Sequence, residues 1–147
     1  MAYAIDIVSA HFISAPNQKK FSNIESLEGV DIAVQQGVAE SALLNLKIHF
    51  NTIKTPDDLS ALKMLLAKRV DTMFGWHPDI LLIAEKNNLP LPKFDADFIF
   101  FQTTTHFVCK NFGGAQDLMK ILNTRIDDLK TTGKLQTILG KHAQIAD

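Results

Sequence analysis

The residues whose side chains could support chemistry do not form a recognisable catalytic signature. Cys109 follows His106 by three residues, but residues i and i+3 of a strand point to opposite faces, so we expect no thiol–imidazole pair. The single cysteine excludes an intrachain disulfide framework and four-cysteine zinc sites, and the histidines lack metal-ligand spacing. The sequence has no phosphate-binding glycine loop, nucleophile elbow or paired-carboxylate motif. We therefore predict no catalytic residue, no metal and no cofactor.

The first candidate binding segment is Gln36-Gly37-Val38-Ala39, between a predicted strand and a predicted helix. Free backbone N–H groups and the helix dipole at such a junction favour an anion, so a contact to a carboxylate or another acidic group is one interpretation. The alternative is a strand-to-helix turn that requires a glycine for its backbone.

Two further candidates follow later in the chain. Trp76 and His77 come at the carboxyl end of a predicted strand, where ligands bind in open α/β sheets. The indole could stack on a ligand and the imidazole could donate to one; otherwise Trp76 buries its ring and His77 caps the next helix. Thr103 and Thr104 could meet a ligand with their hydroxyls or satisfy the backbone of a hinge. Asp71 is expected to brace a strand end against Lys68 or Arg69, which are neighbours in sequence.

An alternation of strands and helices must position these residues. Short apolar runs bounded by turn residues predict strands, and apolar residues recurring every 3.6 positions predict helices. The order predicts an α/β domain with a mostly parallel sheet. Predicted strands cover residues 5–13, 31–35, 47–53 and 70–74, with 97–101 and 106–109 as one bent strand or two. Predicted helices cover residues 38–44, the leucines after a start at Thr55-Pro56, residues 78–87 and 116–130, and a last one around 135–139 before a frayed tail.

Composition limits the classes of function. The 147 residues are 46% apolar, which suits one folded domain. Fifteen basic against sixteen acidic side chains give a net charge of −1, so we expect no nucleic-acid or anionic-membrane partner. The longest apolar runs are too short to span a bilayer. The N-terminal residues lack the pattern of a secretory signal, so we expect either a cytoplasmic protein or one whose leader lies outside this sequence.

Three stretches resemble segments of the type II periplasmic solute-binding proteins, the amino-acid-binding branch of ABC importers. Residues 26–37, SLEGVDIAVQQG, resemble the family segment "sLkGk-IaVq-G" that enters the second lobe. Residues 66–74, LAKRVDTMF, resemble "L-a-GrvDa-f", and residues 128–142, DLKTTGKLQTILGKH, resemble the C-terminal "l-k-dG-l-kI-kk". The three follow one another in the family order and cover residues 22–142.

The resemblance implies a periplasmic binding protein type II-like lobe, a three-layer α/β/α sandwich with a mostly parallel sheet. By this reading residues 1–25 are a crossing strand and loop, 26–101 the α/β lobe, and 102–147 the return strand and C-terminal helices, with most of the first lobe missing. It also implies noncatalytic binding of a small polar, amino-acid-like solute at the candidates above. The setting would be a periplasmic transport or sensing protein, with an ABC permease as partner.

The sequence departs from the family pattern at two places. Trp76 stands where the family has the carboxylate that holds a ligand ammonium, and Val38 stands where it has a small hydroxyl residue. These departures keep two alternatives open. One is a dehydratase-type enzyme that uses His77, Asp71 or Glu40 as its acid or base, and the other is a degenerate lobe that serves as a protein-interaction module.

The C-terminal helix predicts association. Its apolar stripe would normally pack on the first lobe, and exposed stripes of this kind drive self-association. We therefore expect a homodimer, with exchange of the terminal segments as one route. The stripe consists of Leu118, Ile121, Leu122, Ile126 and Leu129.

Overall fold

The computed structural model describes residues 2–37 and 43–147. The chain forms two compact units: a larger unit of residues 9–101 and a smaller unit of residues 1–8 and 102–147. The strands are β1 (Ala4–Ile13), β2 (Asp31–Gln35), β3 (Asn51–Thr55), β4 (Thr72–His77), β5 (Phe101–His106) and β6 (Gln144–Ile145). The helices are a 3-10 turn (Glu25–Leu27), α1 (Asp58–Leu66), α2 (Asp79–Lys86), α3 (Ala115–Thr131) and α4 (Lys134–Leu139).

The sheet of the larger unit is mixed. Strand β2 pairs in parallel with β3 and with β4; helix α1 connects β3 to β4, and helix α2 follows β4. The carboxyl-terminal half of β1 runs antiparallel to β4, with Phe12 opposite Phe74. The predicted α/β class is confirmed, with three parallel strands and one antiparallel strand in this unit.

Alternation along the strands produces a core on each face of this sheet. Ile13, Ala33 and Met73 belong to one apolar cluster, which includes the buried residues of α1 and α2. Their neighbours point to the other face, because successive side chains of a strand alternate. That second cluster is aromatic: Phe12 and Phe74 pack against Phe98 and Phe100 with ring centroids 5.4–5.8 Å apart.

Several predicted elements shift in the structure. The strand expected at residues 47–53 is β3, Asn51–Thr55, and the one expected at 70–74 is β4, Thr72–His77. Thr55 therefore ends a strand, and the first-turn cap of α1 is Asp57, whose carboxylate accepts the Ser60 N–H at 2.7 Å. The helix predicted at residues 38–44 falls mostly outside the described residues.

The return strand predicted around the threonines is present but shorter than the predicted run. Of the segments predicted at residues 97–101 and 106–109, one strand forms, β5, and it carries Thr103 to Thr105 as the interpretation with one strand requires. Phe98 and Phe100 precede it: their rings pack on Phe12, and the Phe100 N–H donates to Ala10 O at 3.0 Å. The β-branched residues Thr103 to Thr105 suit the extended backbone that replaces the expected bend.

The smaller unit combines three strand segments with the two C-terminal helices. The first half of β1 pairs with β5 and, antiparallel, with β6, where Asp6 lies opposite Ile145. The predicted fraying beyond Lys141 is wrong: Ala146 is buried and its N–H donates to Ile5 O at 3.3 Å. Helix α3 matches its predicted range within one residue at each end.

Among the residues that the structure describes, none of the helices combines the length and apolar character needed to cross a bilayer.

Candidate functional site

The larger unit brings four of the candidate residues to one edge of its sheet. Gln36 and Gly37 follow β2, and Trp76 and His77 end β4. The carboxyl ends of parallel strands share an edge, and ligands of open α/β sheets bind there. Two hydrogen bonds fix this edge: Gln36 N–H donates to Thr55 O at 3.0 Å, and the Thr55 hydroxyl donates to Val34 O at 3.2 Å.

The Gln36–Gly37 turn needs its glycine. Gly37 has φ +115°, a backbone conformation that residues with a side chain rarely adopt. The turn itself therefore requires a glycine at this position. Both residues are exposed, and because the Gln36 N–H donates to Thr55 O, the amide that this turn could offer to a ligand is the N–H of Gly37. Val38 and Ala39 lie outside the described residues, and contact of this segment with an acidic ligand group stays a prediction.

Trp76 and His77 are half-buried at the end of β4. The Trp76 ring meets Phe101 edge to face at a centroid distance of 6.0 Å. His77 packs beside Phe94, with centroids 5.2 Å apart. Helix α2 has Pro78 at its N-cap, so His77 is not the capping residue that the structural alternative required. The partial exposure of both rings leaves each a surface for a ligand.

Thr103 and Thr104 lie on β5, in the smaller unit, and both are exposed. The Thr104 hydroxyl is hydrogen-bonded to His106 Nε2 at 2.7 Å. Adjacent residues of a strand point to opposite faces, so at most one of the two threonines can face a given small solute.

A buried polar pair that the sequence analysis did not single out lies on β1. Ser9 and His11 share one face of the strand, and Ser9 Oγ is 2.8 Å from His11 Nε2. His11 Nδ1 is 3.2 Å from Phe98 O, and a carbonyl only accepts, so Nδ1 carries the proton. Nε2 then accepts from the Ser9 hydroxyl. The spacing Ser-x-His within a predicted strand was the available signal.

This pair has no access to a substrate. His11 is 1% exposed and its ring lies 4.3 Å from that of Phe94. Burial lowers the pKa of His11, although the Phe98 carbonyl and the nearby Asp95 oppose the shift. The imidazole therefore stays neutral at physiological pH, and its hydrogen bonds connect β1 to the segment that carries Phe98.

A shallow cleft of about 560 Å³ opens beside Gln35 at the start of α1. Asp57, Asp58 and Lys86 line it, so it offers two carboxylates and one ammonium group. Burial raises the pKa of Asp58, and the charges of Asp79 and Asp57 add to the rise. Hydrogen bonds from Ser60 lower the pKa of Asp57.

Solved structures of binding proteins resemble this chain, whereas no family model and no curated protein matches it. The GluR0 ligand-binding core from Nostoc punctiforme, in complex with L-glutamate, is 19% identical with a TM-score of 0.72. The substrate-binding protein AbpA of an amino acid ABC transporter from Streptococcus pneumoniae, bound to L-arginine, is 16% identical with a TM-score of 0.71. The ancestral amino acid-binding protein AncCDT-1, a precursor of cyclohexadienyl dehydratase, is 17% identical with a TM-score of 0.67.

The match covers 96%, 92% and 96% of this chain, in that order. The fold is that of the type II periplasmic binding proteins. This confirms the resemblance drawn from the sequence. The chain spans only 63%, 57% and 59% of the length of those structures.

Within this fold, the acid–base groups of the enzyme alternative are not brought together. Asp71 accepts the Asp31 N–H at 2.9 Å, at the amino ends of β2 and β4, so it braces a strand end through a backbone amide. His77 stands at the other end of β4, and a strand of that length spans about 17–20 Å. The two cannot act on the same bond of a small substrate. Glu40 lies outside the described residues.

No metal site is formed in the parts of the chain before residue 38 and after residue 42: no three histidine, cysteine or acidic side chains converge there.

Proposed function

We propose that this protein binds a small polar, amino-acid-like solute without catalysing a reaction, as part of an ABC-type transport protein or an extracytoplasmic sensor. The observation that carries the proposal is the fold match along more than nine-tenths of the chain to proteins solved with L-glutamate and L-arginine. The residues proposed to contact the solute in the larger unit are Gln36, Gly37, Val38, Ala39, Trp76 and His77. In the smaller unit, Thr103 and Thr104 remain the candidates predicted from the sequence.

The assigned partners follow from the same comparison. AbpA is a component of an amino acid ABC transporter, and we assign to this protein a permease of that class and a place outside the cytoplasm. We also propose that it forms a homodimer.

Trp76 gives the proposal a specific chemistry. In the family resemblance its position holds the carboxylate that pairs with a ligand ammonium. The half-buried indole replaces that ion pair with a cation–π contact. Such a contact favours a solute whose ammonium or guanidinium group lies against the face of the ring. The N–H of Gly37, in an exposed turn at the same sheet edge, supplies a donor for the solute carboxylate. The solute class is therefore a zwitterion or a cationic amino acid.

A titration followed by NMR tests this function in the 147-residue chain. One edge contacts the solute from one side only, so we expect weak binding, which amide chemical shifts detect at about 10 mM ligand where a thermal assay would not. Arginine, lysine, glutamine and glutamate are added in turn. The amides of Gln36, Gly37, Trp76 and His77 should shift with at least one of them.

Replacement of the indole supplies the matched control. Trp76→Ala should weaken the binding of the responding amino acid at least several-fold, whereas Phe112→Ala, at an exposed aromatic residue of the smaller unit, should not. Solute capture is refuted if arginine, lysine, glutamine and glutamate all leave these four amides unmoved, or if the shifts lie elsewhere in the chain.

A further inference from the structure

Strand β5 is an edge strand. It pairs with β1 on one side, and within residues 2–37 and 43–147 no other strand pairs with it. An edge strand presents a row of unpaired backbone N–H and C=O groups, to which another strand can add. Proteins usually block such an edge with charged residues, proline or a bulge.

None of the usual blocks is present on β5. The sequence from Phe98 to Cys109 has no charged residue and no proline. Every residue of β5 except Thr105 is exposed, and the residues after it include Phe107 at 48% and Val108 at 93% exposure. Thr105 donates its hydroxyl to Asp6 on β1, which holds the strand in place while its outer edge stays open. An ordered, uncharged and β-branched edge of this kind is suited to strand addition.

We propose that this edge binds a second copy of the chain, β5 to β5 in antiparallel orientation, so that the sheets of two protomers become continuous. In a symmetric antiparallel pair, the residue on the two-fold axis faces its own copy, which only an uncharged residue tolerates. We place Thr104 there, because it is one of the two central residues of β5 and threonine pairs are favourable across strands.

The register centred on Thr104 matches the rest of the strand. It places Thr103 opposite Thr105 of the second copy, and Phe101 opposite Phe107 of the second copy. Aromatic pairs stabilise antiparallel strands, and both phenylalanines are about half-exposed in the single chain.

Charge at the two ends of the segment agrees with an antiparallel copy. In sequence the nearest charged residue before the strand is Asp97, and the nearest after it is Lys110. Antiparallel pairing brings the acidic end of one copy towards the basic end of the other, whereas parallel pairing would bring like charges together. The proposal does not depend on solute binding.

Charge placed on the axis tests the pairing and its register. By sedimentation velocity at about 100 μM, the wild-type chain should sediment as a dimer of twice its 16.4 kDa mass. Thr104→Lys and Thr104→Glu each put two like charges opposite one another, and each variant alone should be monomeric. An equimolar mixture of the two should recover a dimer. Thr131→Lys adds the same charge at an exposed position at the end of α3 and should keep the wild-type dimer.

Three results would overturn the proposal: a monomeric wild type at this concentration, a dimer that survives Thr104→Lys, or a mixture that stays monomeric while circular dichroism shows both variants folded. If the charged variants do not fold, Thr104→Cys in a Cys109→Ser background tests the same pairing by cross-linking. Directly opposed strand residues have Cβ atoms about 4.5–5.5 Å apart, so a short thiol-specific cross-linker should join the pair. Absence of a cross-linked dimer would then refute the pairing.

Discussion

His11 is buried because its neighbours satisfy both ring nitrogens in the neutral form. Phe98 O takes the proton of Nδ1, and the Ser9 hydroxyl donates to Nε2. A charged imidazole would have to donate from both nitrogens, so the Ser9 hydroxyl would have to turn away, and the ring would be charged in an apolar site. The residue therefore links the stability of the larger unit to pH.

Stability should fall as the pH drops below about 6.5, because His11 takes up a proton in the unfolded chain before it does so in the folded one. The folded-state pKa is lowered, so the unfolded state binds more protons in this interval and the free energy of unfolding rises with pH. Urea denaturation between about pH 5 and pH 8 measures the slope. His11→Gln should flatten it, and His49→Gln, at an exposed histidine, should not. An unchanged slope in His11→Gln would contradict this account.

Adjacent aspartates at the start of α1 should respond oppositely to replacement. The pKa of Asp58 is raised, so its charge opposes folding at neutral pH, and Asp58→Asn should increase the free energy of unfolding at pH 7. The pKa of Asp57 is lowered by the hydrogen bonds that it accepts from Ser60, so its charge favours folding. Asp57→Ala should therefore decrease the free energy of unfolding at pH 7. The gain from Asp58→Asn should disappear near pH 3, where the unfolded-state carboxyl is also protonated.

Urea denaturation at the two pH values checks both signs. The loss from Asp57→Ala should persist to a lower pH than the gain from Asp58→Asn, because the folded state keeps Asp57 ionised further into acid. Changes of the same sign at pH 7 would show that the shared helix start, and not the separate surroundings of the two carboxylates, controls their effect.

At the scale of the elements, the sheet of the larger unit depends on which face each strand residue takes. Phe12 contributes to the aromatic cluster, and Ile13, the next residue, contributes to the cluster under the helices. The period of two makes both cores predictable once a strand is placed, whereas an error of one residue would exchange them.

Phe12→Ala should lower the free energy of unfolding by about 3–5 kcal/mol, since it removes a fully buried ring and leaves a cavity among three other aromatic rings. Urea denaturation measures the change. Phe112→Ala, at a residue 52% exposed, is the matched control and should change stability by under about 0.5 kcal/mol. Equal effects of the two replacements would contradict the assigned core.

Elements with strong local signals were predicted well, and those decided by distant contacts were not. Strand β2 and helix α3 have clear periodicity, and their predicted bounds hold to within one residue. Strand β5 is shorter than the predicted run: Phe98 and Phe100 have the composition of a strand but precede it, and their rings pack in the aromatic cluster. The stripe on α3 is partly covered: Ile126 is buried whereas Ile121 is 67% exposed.

At the scale of the whole molecule, the candidate residues are divided between the two units. Gln36, Gly37, Trp76 and His77 belong to the larger unit, and the two threonines to the smaller. The division of the chain at residues 25 and 101 remains a prediction about the intact protein. Solute capture and edge pairing are tested by separate measurements, amide shifts in the first case and sedimentation in the second, so failure of one leaves the other standing.

The sequence by itself determined the α/β class, the resemblance to type II periplasmic binding proteins, the order of most elements and the residues at the carboxyl edge of the sheet. These depend on periodicity, turn residues and short motifs, which are local properties of the chain. Only the tertiary structure decided the antiparallel course of β1 beside β4, the neutral Ser9–His11 pair, the opposite surroundings of Asp57 and Asp58, and the open edge of β5. The strand pairings join residues far apart in the chain, and burial by distant segments sets the state of His11 and Asp58, so local pattern does not encode them.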